Sequence, residues 1–404
     1  MSEDMRDGRL VPVVILRKWA EAAKQPRGAH QLAAAVVDYV NDVQGAGMYA
    51  RSELPANALR AYHADFYLAQ VRNGGHSQFI ANSGSLLPIA IADALAGLEA
   101  MGAGAQCQIL AEMAAWVAAN PDEADAQDGF SVRAKPLDDL DSRFFAAEGE
   151  KPGTHLAARW IAGWPELRTV EEDRYAAAIE ELAALNPARG PRLVWKNVLN
   201  LRYQLTDPAQ LAIAATCGAV EPEPEIKTGI GGGFYEEVDG EQRLVFVLST
   251  QMGQRLCVPG DAAARLYEYT DRSPRPAPDP ELDLDEIQNY KPPVVGRQLS
   301  EVSAEIIQRF VAAADETSAA EAIDLMLRKA QLGPAAMITA SRAKDGDPLW
   351  IVATEQNLSI ARSSTSGAQL RDHEGKPLAS VTSAEIEQHA SEAAAAGLAM
   401  RPGA

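Results

Sequence analysis

The stretch Gly229-Ile230-Gly231-Gly232-Gly233 is the part of this 404-residue chain most like a phosphate-binding loop, because small residues let backbone N–H groups approach an anion. That chemistry needs a following Gly-Lys-Ser/Thr and a helix N-terminus, and Phe234-Tyr235-Glu236 supplies neither. The run reads instead as a flexible loop opening a hairpin. The six histidines, His30, His63, His76, His155, His373 and His389, keep no metal-ligand spacing with one another or with Cys107, Cys217 and Cys257. No HExxH, CxxC or GxSxG is present. His63 and His76 could meet across a turn with Asp65 near, and a polar structural role suits them better than acid–base work. The sequence therefore assigns no catalytic residue, no metal and no cofactor.

Carboxylates are the remaining chemistry. The chain carries 56 acidic against 37 basic residues, a formal charge of −19. The excess is uneven: residues 31–150 hold 16 acidic against 6 basic, while residues 1–30 are slightly basic. Such a field argues against direct binding to nucleic acid or an anionic membrane and suits a basic protein partner. A duplex carries one charge per roughly 1.7 Å of its axis. Helical neighbours three or four apart, with Cβ atoms about 5–6 Å apart, give carboxylates a comparable spacing. Two groups qualify: Asp122, Glu123, Asp125 and Asp128 in an acidic connection over 121–128, and Asp138, Asp139 and Asp141 on a helix opposite Leu137, Leu140 and Phe144. All seven are expected on a partner-binding surface.

The elements that would position them centre on Ala56 to Gly84. Leu59, Tyr62, Phe66 and Ala69 recur at three- and four-residue steps and predict one helix face. Asn73-Gly74-Gly75 tolerates positive φ and should stop that helix and reverse the chain. Phe79 and Ile80 follow as apolar anchors, and Asn82 to Gly84 makes a second break. Further helices are predicted over 29–44, 87–101, 105–119 and 136–148.

The run YHADFYLAQVRNGGHSQFIANSG, the later Leu98-Glu99-Ala100-Met101-Gly102-Ala103 and the segment Leu137-Asp138-Asp139-Leu140-Asp141-Ser142-Arg143-Phe144-Phe145 together resemble the bacterial acidic DNA-mimic proteins. This is a helical family of mostly unknown function with an NGG signature, and the resemblance covers about residues 35–150. It implies an all-helical domain and, for its characterised role, carboxylates presented to a DNA-binding regulator in place of a duplex. His76 departs from the family, where an apolar residue is more usual.

Beyond this domain the chain predicts helices at 156–164, from a Thr169/Glu172 capping box to Leu185, and over 192–217. It then predicts a hairpin around Asp239-Gly240, a third strand at 255–258 and a helix at 259–269. Residues 271–293 are Pro- and acid-rich and read as a linker. Helices at 300–314 and 318–331, strands at 337–341, 349–354 and 358–362, a turn at 375–377 and a helix at 383–396 complete the chain. Leu10 to Leu16 fits a strand or a short buried helix. The expected architecture is multidomain and mainly α: an all-helical domain over 1–150, an α+β middle region over 151–270 with a small antiparallel hairpin, the linker, and an α+β domain over 294–404. Three dispersed cysteines and an N-terminus without a signal-like or membrane-spanning run make the cytoplasm the expected compartment. Three functions fit: a non-catalytic binding protein engaging a basic DNA-binding partner; an immunity or assembly protein neutralising a toxin or host factor; or an enzyme with a site between the middle and C-terminal regions. The oligomeric state is open, a homodimer included.

Overall fold

The computed structural model describes residues 4–270, 294–343, 346–398 and 400. The chain forms two compact units, one of Met1–Gly190 with Leu398–Ala404 and one of Pro191–Gly397. The expected borders at 150 and 293 do not coincide with these units, and the expected linker over 271–293 lies outside the described residues.

The first unit is mainly helical. Its short strands come first: β1 (Met5–Arg6) pairs with β2 (Arg9–Leu10), and β3 (Val13–Leu16) follows. Val13, Val14 and Ile15 are fully buried, so the apolar run that fitted either helix or strand is a strand. Its partner is β4 (Leu167–Val170), in parallel register. Parallel neighbours need a crossover, and here the whole helical domain supplies it: α1 (Arg17–Ala22), α2 (Ala29–Gly45), α3 (Ala56–Ser83), α4 (Leu87–Ala100), α5 (Gly104–Ala119), α6 (Pro121–Asp125), α7 (Lys135–Glu150) and α8 (Gly153–Ala162). Helix α9 (Glu172–Ala184) returns against β3. Leu32, Val36, Tyr39, Val40 and Val43 of α2 are buried as the periodicity predicts, and the Tyr39 hydroxyl donates to the Pro12 carbonyl at 2.7 Å.

Three expectations change in this unit. The buried stripe of α3 runs through Ala61, Ala64, Leu68 and Val71, while Tyr62 and Phe66 are half-buried and Ala69 is exposed. The expected stripe followed the large side chains, but small alanines form the contact with neighbouring helices. Residues 121–125 are a short helix, not a bare connection. Thr169 lies in β4, so no capping box opens α9; Glu171 stands at its N-cap, but its carboxylate pairs with Arg17 and caps no amide of the helix. An 18-residue window within Ala56–Ala100 is apolar enough to cross a membrane by length and composition, but the stretch is interrupted at Gly74–Gly75 and again at Gly84–Leu86.

The second unit is α+β. Helices α10 (Arg189–Thr206) and α11 (Pro208–Gly218) are parted at Asp207, whose carboxylate accepts from the Gln210 amide at 2.9 Å. One antiparallel sheet runs β5 (Lys227–Val238), β6 (Glu241–Thr250), β7 (Gly253–Val258), β8 (Ala263–Thr270) and β9 (Val294–Ser303). The predicted Asp239-Gly240 turn joins the first two strands with φ of 55° and 80°, the pair of left-handed residues that a two-residue hairpin favours. The Gly229–Gly233 run lies inside β5, with a register shift between Ile230 and Gly233, so it is a bulged strand and not a loop. Residues 263–270 form strand β8 where a helix was expected. Ala264 and Leu266 point inward in alternation, and β7 and β9 hold both edges, which outweighs the helix preference of Ala and Leu. Residues 300–303 likewise end β9, and the helix begins only at Ala304 with Ser303 as its cap.

Helices α12 (Ala304–Glu316) and α13 (Ala319–Lys329) precede a second antiparallel sheet of β10 (Met337–Arg342), β11 (Pro348–Ala353), β12 (Leu358–Ser364), β13 (Gly367–Asp372) and β14 (Pro377–Thr382); α14 (Ser383–Leu398) closes the unit. Helix α11 packs on β8 and β9 of one sheet and β10 of the other. Gln204 extends this join by accepting from the Ile338 amide at 2.9 Å. The middle and C-terminal regions therefore share one fold.

Candidate partner-binding surface

The predicted break in α3 is present, with one residue carrying it. Gly74 has φ/ψ of −149°/18° and Gly75 of 77°/−176°. Only Gly75 adopts positive φ, and Asn73 stays helical and exposed. The chain does turn back: Asn82 Nδ2 donates to Gln70 Oε1 at 2.7 Å, a separation a continuous helix would stretch to roughly 18 Å. Tyr67 meets Phe79 edge-on at 5.2 Å, and Gly84 ends the second arm at φ 49°.

The turn is locked from outside by Asp141. Its Oδ1 accepts from the His76 amide at 2.8 Å and from His76 Nδ1 at 2.5 Å, and its Oδ2 accepts from Arg133 Nη2 at 2.8 Å. His76 Nε2 faces the buried Tyr67 hydroxyl at 3.0 Å. Burial first, then the charges of Asp141 and Glu148, hold that phenol well above its usual range. Arg133 also donates to the Gly74 carbonyl at 2.8 Å. A Cβ at Gly75 would stand 2.1 Å from Asp141 Oδ2, so the glycine is required by the carboxylate as well as by its own φ. His76 is fully buried and is the partner of Asp141.

Asp141 is thus removed from the expected surface: it is 7% exposed and fully engaged. Asp128 is exposed but inward-turned, its carboxylate accepting from the Ser131 hydroxyl and from the Phe130, Ser131 and Val132 amides. The Ser131 hydroxyl, followed by the Val132 and Phe130 amides, holds its carboxyl well below the usual range. Asp138 leans on Arg133 at 3.3 Å. Asp122, Glu123, Asp125 and Asp139 are exposed, and among the described residues their carboxylates have no partner. They flank a loop whose Phe130 is 84% exposed, with Val132 and Phe145 also outward. That aromatic was not singled out from the sequence. Its signal was position: an aromatic directly after Asp128-Gly129, in a loop that Asp128 ties into a compact turn.

The other chemical candidates separate. His63 and His76 do not meet; His63 Nδ1 faces Asp93 Oδ2 at 3.0 Å and the Leu59 carbonyl at 3.2 Å. Burial, then the Arg51 charge, push its pKa down to about 4 against the pull of the Leu59 carbonyl. Trp160 and Trp164 form an edge-on pair at 4.9 Å, with Trp164 in the core. Cys217 and Cys257 are buried and free, and burial pushes each thiol up to about 12. Among the described residues no group of three His, Cys, Asp or Glu side chains could hold a metal ion. The second unit has a cleft of about 430 Å³ with Glu221, Ser341 and Arg342 as its charged and hydroxyl side chains, and no histidine or cysteine lines it.

No curated protein and no solved structure matches the chain. Residues 52–164, a little over a quarter of it, hold the Gly75 turn, the Asp128 loop and the helix of Asp138 and Asp139, and they match the family described as DMP19-like protein.

Proposed function

We propose that the first unit is a non-catalytic binding module whose acidic surface engages a basic, DNA-binding protein in place of a duplex. The observation that carries the reading is the set of four carboxylates without a partner among the described residues, Asp122, Glu123, Asp125 and Asp139, on the helices before and after a loop fixed by Asp128. The match of residues 52–164 to a DNA-mimic family supports it. Free carboxylates on a braced frame lose little conformational freedom on binding and attract a cationic partner over about 8–10 Å at moderate salt. Phe130 adds an apolar anchor among them, the kind of exposed aromatic that dominates interface energetics.

The test is capture of partners from the native host at about 50 mM and 500 mM salt, where screening lengths differ more than twofold. Basic DNA-binding proteins recovered at low salt and displaced by duplex DNA support the reading. Replacing Asp122, Asp125 and Asp139 by Asn and Glu123 by Gln should weaken that binding at least tenfold without changing the fold; unchanged affinity refutes it. Phe130 also favours a second reading, an immunity or assembly protein held mainly by apolar contact. Its sign is one partner retained at high salt, indifferent to duplex DNA, and lost on Phe130→Ala.

A further inference from the structure

An arginine-lined cleft of about 690 Å³ opens on the first unit, and none of the seven carboxylates expected on the partner-binding surface lines it. Its size is that of a small-molecule site. Three guanidinium groups, from Arg9, Arg51 and Arg60, face one hollow in a domain that otherwise carries far more acid than base. Arg51 is committed, ion-paired with Asp93 on the cleft wall. Among the described residues Arg9 has no carboxylate partner, and Arg60 reaches only Asn57 Oδ1 at 3.4 Å. Among the described residues, then, two of the guanidinium groups at this hollow pair with no carboxylate.

Backbone geometry points the same way. The cleft lies at the starts of two helices, with Ala56 opening α3 and Pro88 in the first turn of α4 both on its wall. Neither helix has a side-chain cap at its N-cap residue, Pro55 or Leu86, although the Leu87 amide of α4 already donates to the Gly84 carbonyl. Uncapped first-turn N–H groups and the positive end of the helix dipole favour an anion. Most of the remaining wall is apolar, from Leu54, Leu59, Leu86 and Ile89, with Tyr62 beside His63; Gln44 and Ser52 are its other polar side chains.

We propose that this cleft binds a phosphate monoester carried on an apolar or planar body. A monoester has a charge of about −1.5 to −2 near neutral pH, which matches the surplus of two guanidiniums. Its oxygens suit both the guanidinium fork and helix-start amides. The apolar wall takes the body. This assignment is independent of the partner-binding reading, since it uses other residues.

The experiment is calorimetric titration of the full chain with phenyl phosphate, inorganic phosphate, phenol and benzylmalonate. Phenyl phosphate should bind with a Kd of about 1 mM or tighter, inorganic phosphate at least about tenfold more weakly, and phenol without detectable heat. Arg60→Met and Arg9→Met should each weaken phenyl phosphate at least about tenfold, Arg60→Lys less, and Arg143→Met, outside the cleft, not at all. Thermal unfolding of each variant confirms that the fold is intact. No binding at about 10 mM, or binding untouched by both methionine variants, overturns the proposal. Inorganic phosphate binding as tightly as phenyl phosphate overturns the apolar half, and benzylmalonate binding tighter overturns the choice of phosphate.

Discussion

Replacing Asp141 by Ala should unfold the Gly75 turn while leaving the acidic surface chemically intact. Three donors lose their acceptor: the His76 amide, His76 Nδ1 and Arg133 Nη2. Arg133 keeps the Gly74 carbonyl and Asp138 and is about a third exposed, so water re-satisfies most of its loss. His76 is fully buried, so its two N–H groups are stranded at about 1–3 kcal/mol each. With the shared energy of a network discounted, the cost is about 3–5 kcal/mol, the range for breaking a buried charged pair. For a unit of this size that is roughly a 6–20 °C fall in its melting temperature. Asp139→Asn, exposed and unpartnered, should stay within about 0.5 kcal/mol. Thermal unfolding of the full chain, with amide exchange read on peptides covering 60–80 and 137–148, assigns the change to this unit. A cost under about 1 kcal/mol, or exchange unchanged across those peptides, would show that Asp141 does not hold the turn.

Gly75→Ala should cost more than about 2 kcal/mol, because its Cβ meets both Asp141 and Arg133 at positive φ, whereas Gly74→Ala, at negative φ, crowds the Gln78 side chain from its Oε1 to its Cβ and should cost less; equal costs in denaturant unfolding would contradict this. Lys227 is fully buried, its Nζ has no hydrogen-bond partner among the described residues, and burial pulls its pKa to about 8 against the opposing effect of Cys217 and Cys257. Lys227→Met should therefore stabilise the second unit by about 1–3 kcal/mol at pH 7, where the lysine is charged in both states, and a loss of stability would refute the assignment. In the parent chain the same unit should gain stability between pH 8 and 9, since there the unfolded lysine binds more protons than the folded one; above pH 9 the thiols held near 12 work the other way. His63, depressed to about 4, binds more protons unfolded than folded between pH 4 and 6.5, so its contribution to stability is lost as pH falls through that window. The loss is at most about 3 kcal/mol, lessened by Asp93 beside Nδ1, and His63→Gln should flatten that part of the urea-midpoint profile.

The sequence marked helices and turns well where local chemistry decides them. Asp239-Gly240 made its hairpin, the periodic apolar residues of α2 are all buried, and the Gly75 break lies inside the predicted Asn73-Gly75 triplet. It marked them poorly where partners from elsewhere in the chain decide. Ala263–Thr270 is a strand because β7 and β9 flank it, and β9 arrives only after residue 293. The two strands β13 and β14 around Gly375 were read as a turn alone, since their pairing with β12 and with each other has no local signal. Among the acidic residues the spacing of Asp138 and Asp141 was correct, but which side faced solvent was not. Leu137, Leu140 and Phe144 fix the buried face of α7, and Asp141 sits at its edge, next to Leu140, where His76 and Arg133 reach it.

That edge position changes what an acidic sequence motif can mean in this domain. Counting Asp and Glu treats the seven candidate carboxylates alike, yet the structure divides them by whether a donor already occupies their oxygens. Asp141 and Asp128 spend theirs on the Gly75 turn and on the Phe130 loop, and Asp138 shares Arg133. A cationic partner would have to displace those donors before using them, at the cost of the frame itself. The four free carboxylates carry no such cost. The Gly-Gly break and Asp141, both within the stretches that carry the sequence resemblance, are therefore among the residues least available to a partner. Asp122, Glu123 and Asp125, outside the three stretches that carry the resemblance, hold no part of that frame and can be changed without unfolding the domain. The two sets make opposite predictions in one experiment: neutralising Asp122 and Asp125 should lower partner affinity at constant melting temperature, and neutralising Asp141 should lower the melting temperature first.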